Sequence, residues 1–291
     1  VTLKLLTVKA GYNGCMKRLL IVGFGDVARR LLPLLPPGVA LRRASRSEGY
    51  DLDRPETLAG LADWADAVLH CAPPPNTGDH DSRTAHLVTI LERGILPVRL
   101  VYISTSGVYG DCGGALVDET RAPAPQSDRA RRRAAAEALL GAWCAARGVA
   151  LIVLRVPGIY AADRLPIERL RAGTPVLSEE DDVYTNHVHA DDLAAIALRA
   201  LCCDAPPGAY NASDDSQLKM GQWLDLVADR FGLPRPPRVA RRDAAGRIPA
   251  ALLSFMNESR RLDNRKMKEL LGVRLRYPTV YDGLRAATQA A

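Results

Sequence analysis

The sequence predicts an α/β protein: a doubly wound parallel sheet with a smaller C-terminal lobe. Three observations carry this reading. Short apolar runs alternate with helical segments, a glycine turn joins the first run to the first helix, and the rhythm loosens after Tyr160. Apolar runs without polar alternation suit strands covered on both faces, and parallel strands need helical crossovers between them.

The first run, residues 18–22 (RLLIV), is strand one, and GFGDVARRLLPLL opens a helix that Pro36, Pro37 and Gly38 stop. Residues 39–42 give a second strand, 55–61 a short helix, and 67–71 a third strand ended by Pro73, Pro74 and Pro75. A helix over 82–93 leads to a strand at 99–104. The next helix enters at Pro125 with Ser127 as its N-cap, and residues 150–155 form the strand after it. One domain is expected over residues 16–160, and late core elements mixed with a substrate lobe over 161–291. Residues 1–15 read as an appendage without order. Their apolar patch is broken by Lys4 and is too short for a signal-peptide core; Val1 fits an upstream start codon, so the working chain is expected to begin near Met16.

Composition excludes several classes. With 47% hydrophobic and 25% charged residues over 291 positions, the chain is globular rather than disordered. The net charge of +6 comes from arginines scattered along the chain, so it does not by itself mark a nucleic-acid partner. Six cysteines form no C-x-x-C pair, which fits reduced thiols in a cytoplasmic protein. No apolar stretch approaches the ~18 residues of a membrane span.

Gly23-Phe24-Gly25-Asp26-Val27-Ala28 is G-x-G-x-x-A between a strand and a helix. The first glycine permits the tight turn and the second lets backbone approach a pyrophosphate. The small third residue allows close helix–strand packing, as in a Rossmann-type dinucleotide site. An acidic residue after strand two would accept a ribose 2′-hydroxyl. The chain instead offers Arg42, Arg43 and Ser45, with no carboxylate until Glu48, which suits a 2′-phosphate and so NADP over NAD. Surface arginines in an arginine-rich chain are the alternative.

These residues, with Asp51-Leu52, the strand end His70-Cys71-Ala72 and Ser104-Thr-Ser-Gly-Val-Tyr-Gly110, resemble an extended short-chain dehydrogenase/reductase of the NAD-dependent epimerase/dehydratase superfamily, often nucleoside-diphosphate-sugar epimerases. Leu154-Arg-Val-Pro-Gly-Ile-Tyr160, Asn186-His-Val-His-Ala-Asp-Asp-Leu193 and Tyr210-Asn-Ala-Ser213 extend the resemblance over about residues 17–285. It implies that Asp51 and Leu52 flank an adenine and that Cys71, Ala72 and Pro73 line ribose and phosphates. It further implies that Thr105 touches the reacting carbonyl and that Pro157 to Ile159 lie near the nicotinamide.

The family's chemistry rests on Tyr-x-x-x-Lys, with a Glu four residues after the Lys. Here Glu137 follows Arg133 by four, which puts Arg133 at the Lys position and Arg129 at the Tyr position. At about 100° per residue, Ala136, Leu139, Leu140 and Trp143 share a helix face, Arg129 and Arg133 lie close to it, and Arg131 points away. Two of the four arginines in residues 129–133 are therefore expected to face the cleft, with a solvated face as the alternative. Arginine cannot exchange protons near neutral pH. Arg133 can still hold a ribose and Arg129 an anion, while Thr105 and Tyr109 are the remaining candidates for proton chemistry, Tyr109 being more readily read as packed structure than as a substitute acid.

His187 and His189 lack further ligands at metal spacing, and a strand running into a helix capped by Asp191 or Asp192 explains them; no metal is expected. Ser104-Thr-Ser-Gly lacks the G-x-S-x-G elbow of hydrolases. By resemblance, the basic run from Arg260 belongs to the substrate lobe. The expectation is an NADP- or NAD-dependent oxidoreductase or epimerase with a small polar substrate such as a nucleotide-sugar. No nucleic acid or membrane partner is expected, and a homodimer stays open. A non-catalytic NADP(H)-binding or sensing protein is the alternative.

Overall fold

The computed structural model describes residues 16–289. The appendage expected at 1–15 lies outside the described residues. Strands are β1 (Arg18–Val22), β2 (Ala40–Ala44), β3 (Ala67–His70), β4 (Arg99–Thr105), β5 (Leu116–Val117), β6 (Ala150–Val156), β7 (Gly158–Tyr160), β8 (Val176–Leu177), β9 (Tyr184–Thr185), β10 (His187–His189), β11 (Gly208–Asn211), β12 (Leu218–Lys219), β13 (Arg238–Val239) and β14 (Arg261–Leu262). Helices are α1 (Asp26–Leu31), α2 (Ser82–Leu91), α3 (Asp128–Arg147), α4 (Ile167–Arg171), α5 (Ala190–Cys202), α6 (Met220–Arg230), α7 (Ala250–Phe255), α8 (Arg265–Leu270) and α9 (Val280–Gln289).

Six strands form the central sheet in the order β11-β6-β4-β3-β1-β2, every neighbouring pair parallel. This is the doubly wound sheet that the apolar runs predict. The chain leaves β1 toward β2 on one side and resumes at β3 on the other, opening a crevice at their carboxyl ends, where such sheets take ligands.

Alternation along β1 explains why both faces are covered. Leu19 and Ile21 join α1 and α5 in one core, with Ala28, Leu193, Ile196 and Ala197. Leu20 and Val22 join α2 and α3 in the other, with Leu87, Ile90, Ala136, Leu140 and Trp143. These four β1 side chains are fully buried, and each contributes about 1.5–3 kcal/mol by leaving water. A third core holds Tyr160, Leu177, Trp223, Leu224, Val239, Met256 and Leu284, the C-terminal lobe. Among the described residues no helix is long and apolar enough to cross a membrane.

Three local expectations change. The first helix is α-helical only to Leu31 and tightens to a 3-10 turn over Leu32–Leu34, because Pro33 has no N–H to donate. Residues Pro55–Leu61 form a 3-10 helix. The basic run from Arg260 divides: β14 pairs with β5, while Met267 and Leu271 enter the sheet's own core rather than the C-terminal lobe.

Candidate functional site

The glycine turn sits at the mouth of the crevice. Gly23 has φ +85°, and a Cβ there would stand 2.5 Å from the Ala72 backbone nitrogen. Only glycine meets both demands. Gly25 is extended (φ −92°, ψ −161°), and a Cβ there would meet nothing within 4 Å. That open space above the turn forms a cradle at the mouth of the crevice. Ala28 is fully buried and Val27 packs beside the same core. Asp26 is bound by Arg30 at 3.0 Å and by Arg164 at 2.8 Å, and Arg30 reaches on to Asp163 and Asp191 at 2.8 Å each. The Cys71 and Ala72 N–H groups both donate to the Val22 carbonyl, at 2.8 and 3.0 Å. Burial pushes the Cys71 thiol up to about 12, so it is not a nucleophile.

The two arginines after the turn part company. Arg42 lies 4.5 Å over the Trp64 ring and donates to the Gly60 carbonyl. Arg43, on the opposite face of β2, lies 5.0 Å over Phe24 of the glycine turn and pairs with Glu48 at 2.5 Å. Ser45 bonds the Ser47 hydroxyl at 2.9 Å. Asp51 accepts the Asp53 N–H at 3.0 Å, and the Leu52 carbonyl meets His86 Nδ1 at 2.7 Å. Sequence order alone groups Arg42 with Arg43; strand alternation separates them.

Along α3, Arg131 is exposed, whereas Arg132 is buried and donates to the Gly78 carbonyl at 2.7 Å. Arg133 reaches across the ends of β3 and β4, donating to the Ile103 carbonyl at 2.7 Å, the Tyr102 hydroxyl at 3.1 Å and the Ala72 carbonyl at 3.5 Å. Three of the four arginines are thus turned inward, one more than helical phase suggested, because Arg132 stands four residues before Ala136 on the buried stripe. Beside Arg133, burial and then the guanidinium charge hold His70 neutral, its pKa lowered to about 3. Its Nε2 meets Thr84 Oγ1 at 2.9 Å. Glu137 pairs with Arg155 at 2.8 Å, both nearly buried, and accepts the Ser104 hydroxyl at 2.5 Å. Ser127 occupies the N-cap position, but its hydroxyl makes no cap bond.

Past the end of β4 opens a cavity of about 320 Å³. Thr105 and Ser106 line it from the sheet, Arg129 from α3, Pro157 to Tyr160 from β7 and its approach, and Tyr184, Asn186, His187, Trp223, Phe255, Glu258 and Arg260 from the lobe. Thr105 Oγ1 accepts the Gly107 N–H at 3.2 Å, which leaves its own proton to donate. Arg129 lies 3.4 Å over the Phe255 ring and has one long bond, 3.4 Å to Ser254 Oγ. Arg260 pairs with Glu258 at 2.9 Å. Cationic side chains outnumber anionic ones in this wall.

Comparison with known proteins fits this geometry. Residues 39–213 match the model of the NAD dependent epimerase/dehydratase family. The chain belongs to that family. A functionally unknown conserved protein from Silicibacter pomeroyi is similar at 29% identity and TM-score 0.77, covering 94% of this chain and 99% of that one. RMD from Pseudomonas aeruginosa, solved with NADPH, is similar at 19% identity and TM-score 0.72, over 94% and 98% of the two chains. MoeE5, solved with UDP-glucose and NAD, is similar at 21% identity and TM-score 0.70, over 94% and 99%. No curated protein matches the chain.

Within this epimerase/dehydratase family member, the cavity brings together Thr105, Arg129, Pro157 and Ile159, but not Tyr109. Tyr109 is fully buried, donates to Asn211 Oδ1 at 2.9 Å and lies under Arg155 at 4.7 Å. It is a core residue, and its hydroxyl hydrogen is given to Asn211 rather than offered to the cavity. The expected helix cap is also different: His189, not Asp191 or Asp192, accepts the Asp191 N–H at 3.2 Å. Asp192 instead accepts the Arg276 and Tyr277 N–H groups at 2.7 and 2.8 Å. Sequence reasoning missed Arg260, Glu258, Phe255 and Trp223 as cavity residues. They are distant in sequence from the glycine turn and carry no motif.

Proposed function

We propose that the protein is an NADP(H)-dependent oxidoreductase or epimerase acting on a nucleotide-sugar or a similarly polar, anionic molecule. One observation carries this reading. The cradle over Gly25 opens at the carboxyl ends of β1 and β3, and the cavity past β4 has the Arg129 guanidinium almost without hydrogen-bond partners. The dinucleotide would rest on the Gly23–Ala28 turn and beside Ala72, with Arg43 free to exchange Glu48 for a 2′-phosphate. A bound nicotinamide supplies hydride acceptance or donation. The chain's own residues bind and orient: Thr105 donates its hydroxyl proton to a substrate oxygen, and Arg129 holds an anionic group through charge-assisted bonds. Arg133 is bonded to the strand ends and supports the floor by its charge and position. Arg129 stands where the family's tyrosine would, so proton transfer falls to Thr105, to water or to the substrate itself, and turnover is slow. A positioned acid/base is worth about 10² to 10⁴ in rate.

That same arginine favours a second reading, a dinucleotide-binding or sensing protein without turnover. Calorimetry with NADP and NAD, followed by single-turnover mixing of UDP-glucose with the NADP and NAD complexes, separates the two. Tighter NADP binding with slow reduction of either dinucleotide supports the enzyme, and NADP binding without reduction supports the sensor. Absence of binding by either dinucleotide overturns both.

A further inference from the structure

One buried histidine in the cavity wall has a ring nitrogen without a hydrogen-bond partner. His187 lines the cavity and is 4% exposed, and its Nδ1 is sealed from solvent with no hydrogen-bond partner. Its ring is held at 4.6 Å from Trp223 and edge-on to Tyr160 at 6.2 Å. The strand is pinned as well: the His187 carbonyl accepts the Asp214 N–H at 2.7 Å, and His187 stands opposite Gly158 in the register of β7 and β10. Gly158 leaves one flank of the ring bare. A Cβ there would stand 3.6 Å from His187 Cδ2.

Burial keeps this imidazole neutral, with a pKa lowered to about 3, so one nitrogen carries a hydrogen and the other a lone pair. A buried N–H without an acceptor is rarer and costlier than a bare acceptor. With Nδ1 sealed and unpartnered, Nε2 is the nitrogen left to carry the hydrogen. His70 offers a contrast. It too has an orphan Nδ1, but its Nε2 is engaged by Thr84, and it lies outside the cavity lining.

We propose that His187 is a substrate-contacting residue, its Nε2–H donating a hydrogen bond to a substrate oxygen in the cavity it shares with Thr105. The inference rests on the dinucleotide and polar-substrate reading above, which supplies the occupant. A neutral donor binds an oxygen without adding positive charge to a wall that already holds Arg129 and Arg260. It also keeps one charge state throughout the neutral pH range, which a titrating histidine does not.

The test uses the full chain saturated with NADP, with UDP-glucose as the probe. His187→Phe keeps an aromatic ring on Trp223 and loses the donor; His187→Gln keeps a donor. UDP-glucose should bind about tenfold more weakly to His187→Phe, the scale of one hydrogen bond, and within about threefold of wild type to His187→Gln. NADP affinity and melting temperature should be unchanged in both. Equal UDP-glucose affinity in wild type and His187→Phe overturns the assignment, as does a parallel loss of NADP affinity, which would make the ring part of the fold. If wild type binds NADP but not UDP-glucose, the nucleotide-sugar reading fails by itself. The ¹⁵N spectrum of histidine-labelled wild type then decides His187: a hydrogen on Nε2 in exchange with water upholds the donor, and a hydrogen on Nδ1 refutes it.

Discussion

Replacing Gly25 by Asp should separate ligand binding from folding. Position 25 is extended, at a φ any residue adopts, and heads α1, so the new carboxylate is a good N-cap. A Cβ there meets nothing within 4 Å. The expected change in stability is a few tenths of a kcal/mol, a shift in Tm of about 1 °C or less. The same carboxylate would project into the cradle, where a diphosphate brings negative charge. Two like charges about 4 Å apart cost about 4 kcal/mol near a protein surface. Halving this for an open crevice leaves about 2 kcal/mol, or about thirtyfold in affinity for NADP, before steric exclusion adds to it. Gly23→Ala should do the opposite. Its φ of +85° and the 2.5 Å approach to Ala72 cost about 1–3 kcal/mol from the backbone alone, and the clash adds to this. Calorimetric titration and thermal melts of both variants check the pair. NADP binding to Gly25→Asp with wild-type affinity would remove the cradle from the dinucleotide site.

Other consequences follow from the same geometry. Arg43→Ala should narrow the preference for NADP over NAD about tenfold, the value of a lost charge-assisted bond, whereas Arg42→Ala should leave it, since Arg42 is engaged on Trp64; calorimetry with equal effects in both variants would contradict this. Arg129→Ala should weaken phosphate or sulfate binding at least fivefold, and added salt should weaken the wild-type site likewise; an unchanged titration returns Arg129 to a packing role on Phe255. Burial raises the Asp214 carboxyl from 3.8 to about 8, so between those values the folded protein holds a proton that the unfolded chain releases. Stability should therefore fall as pH rises from about 4 to 8, by about 1.4 kcal/mol per unit for one full proton. Denaturant titrations should find the slope flattened in Asp214→Asn, and an identical slope would place the effect elsewhere.

The sheet was legible because its strands are uninterrupted apolar runs, and residues such as Leu19 to Val22 have no other stable place. The glycine turn was legible for the same local reason: φ at Gly23 and open space at Gly25 are demands a short motif can state. Arg132 was missed because helical phase was read from the apolar residues alone, although a guanidinium on the buried stripe can be satisfied by a loop carbonyl. Tyr109, favoured by its sequence as packed structure over an acid, owes its place to a different mechanism. Its sequence lies next to Thr105, but the 3-10 turn over Ser106–Tyr109 rotates it into the core toward Asn211. The cavity's far wall was beyond reach, because Trp223, Phe255 and Arg260 meet Arg129 only through the packing of the C-terminal lobe.

The Arg133 contacts bear on any attempt at redesign. Installing tyrosine at 129 and lysine at 133 would give the chain a Tyr-x-x-x-Lys spacing, yet both side chains would enter surroundings built around arginine. All three bonds at position 133 come from one guanidinium nitrogen, Nη1, which the long arginine side chain carries to the Ile103 carbonyl, the Tyr102 hydroxyl and the Ala72 carbonyl; a lysine ammonium has a shorter reach and would not meet them at these distances. The ends of β3 and β4 would lose their common tie, and a tyrosine at 129 would leave Phe255 without the cation it covers. A designer would have to retrofit the strand ends and the α7 contact first, so the two substitutions cannot be made apart from their neighbours.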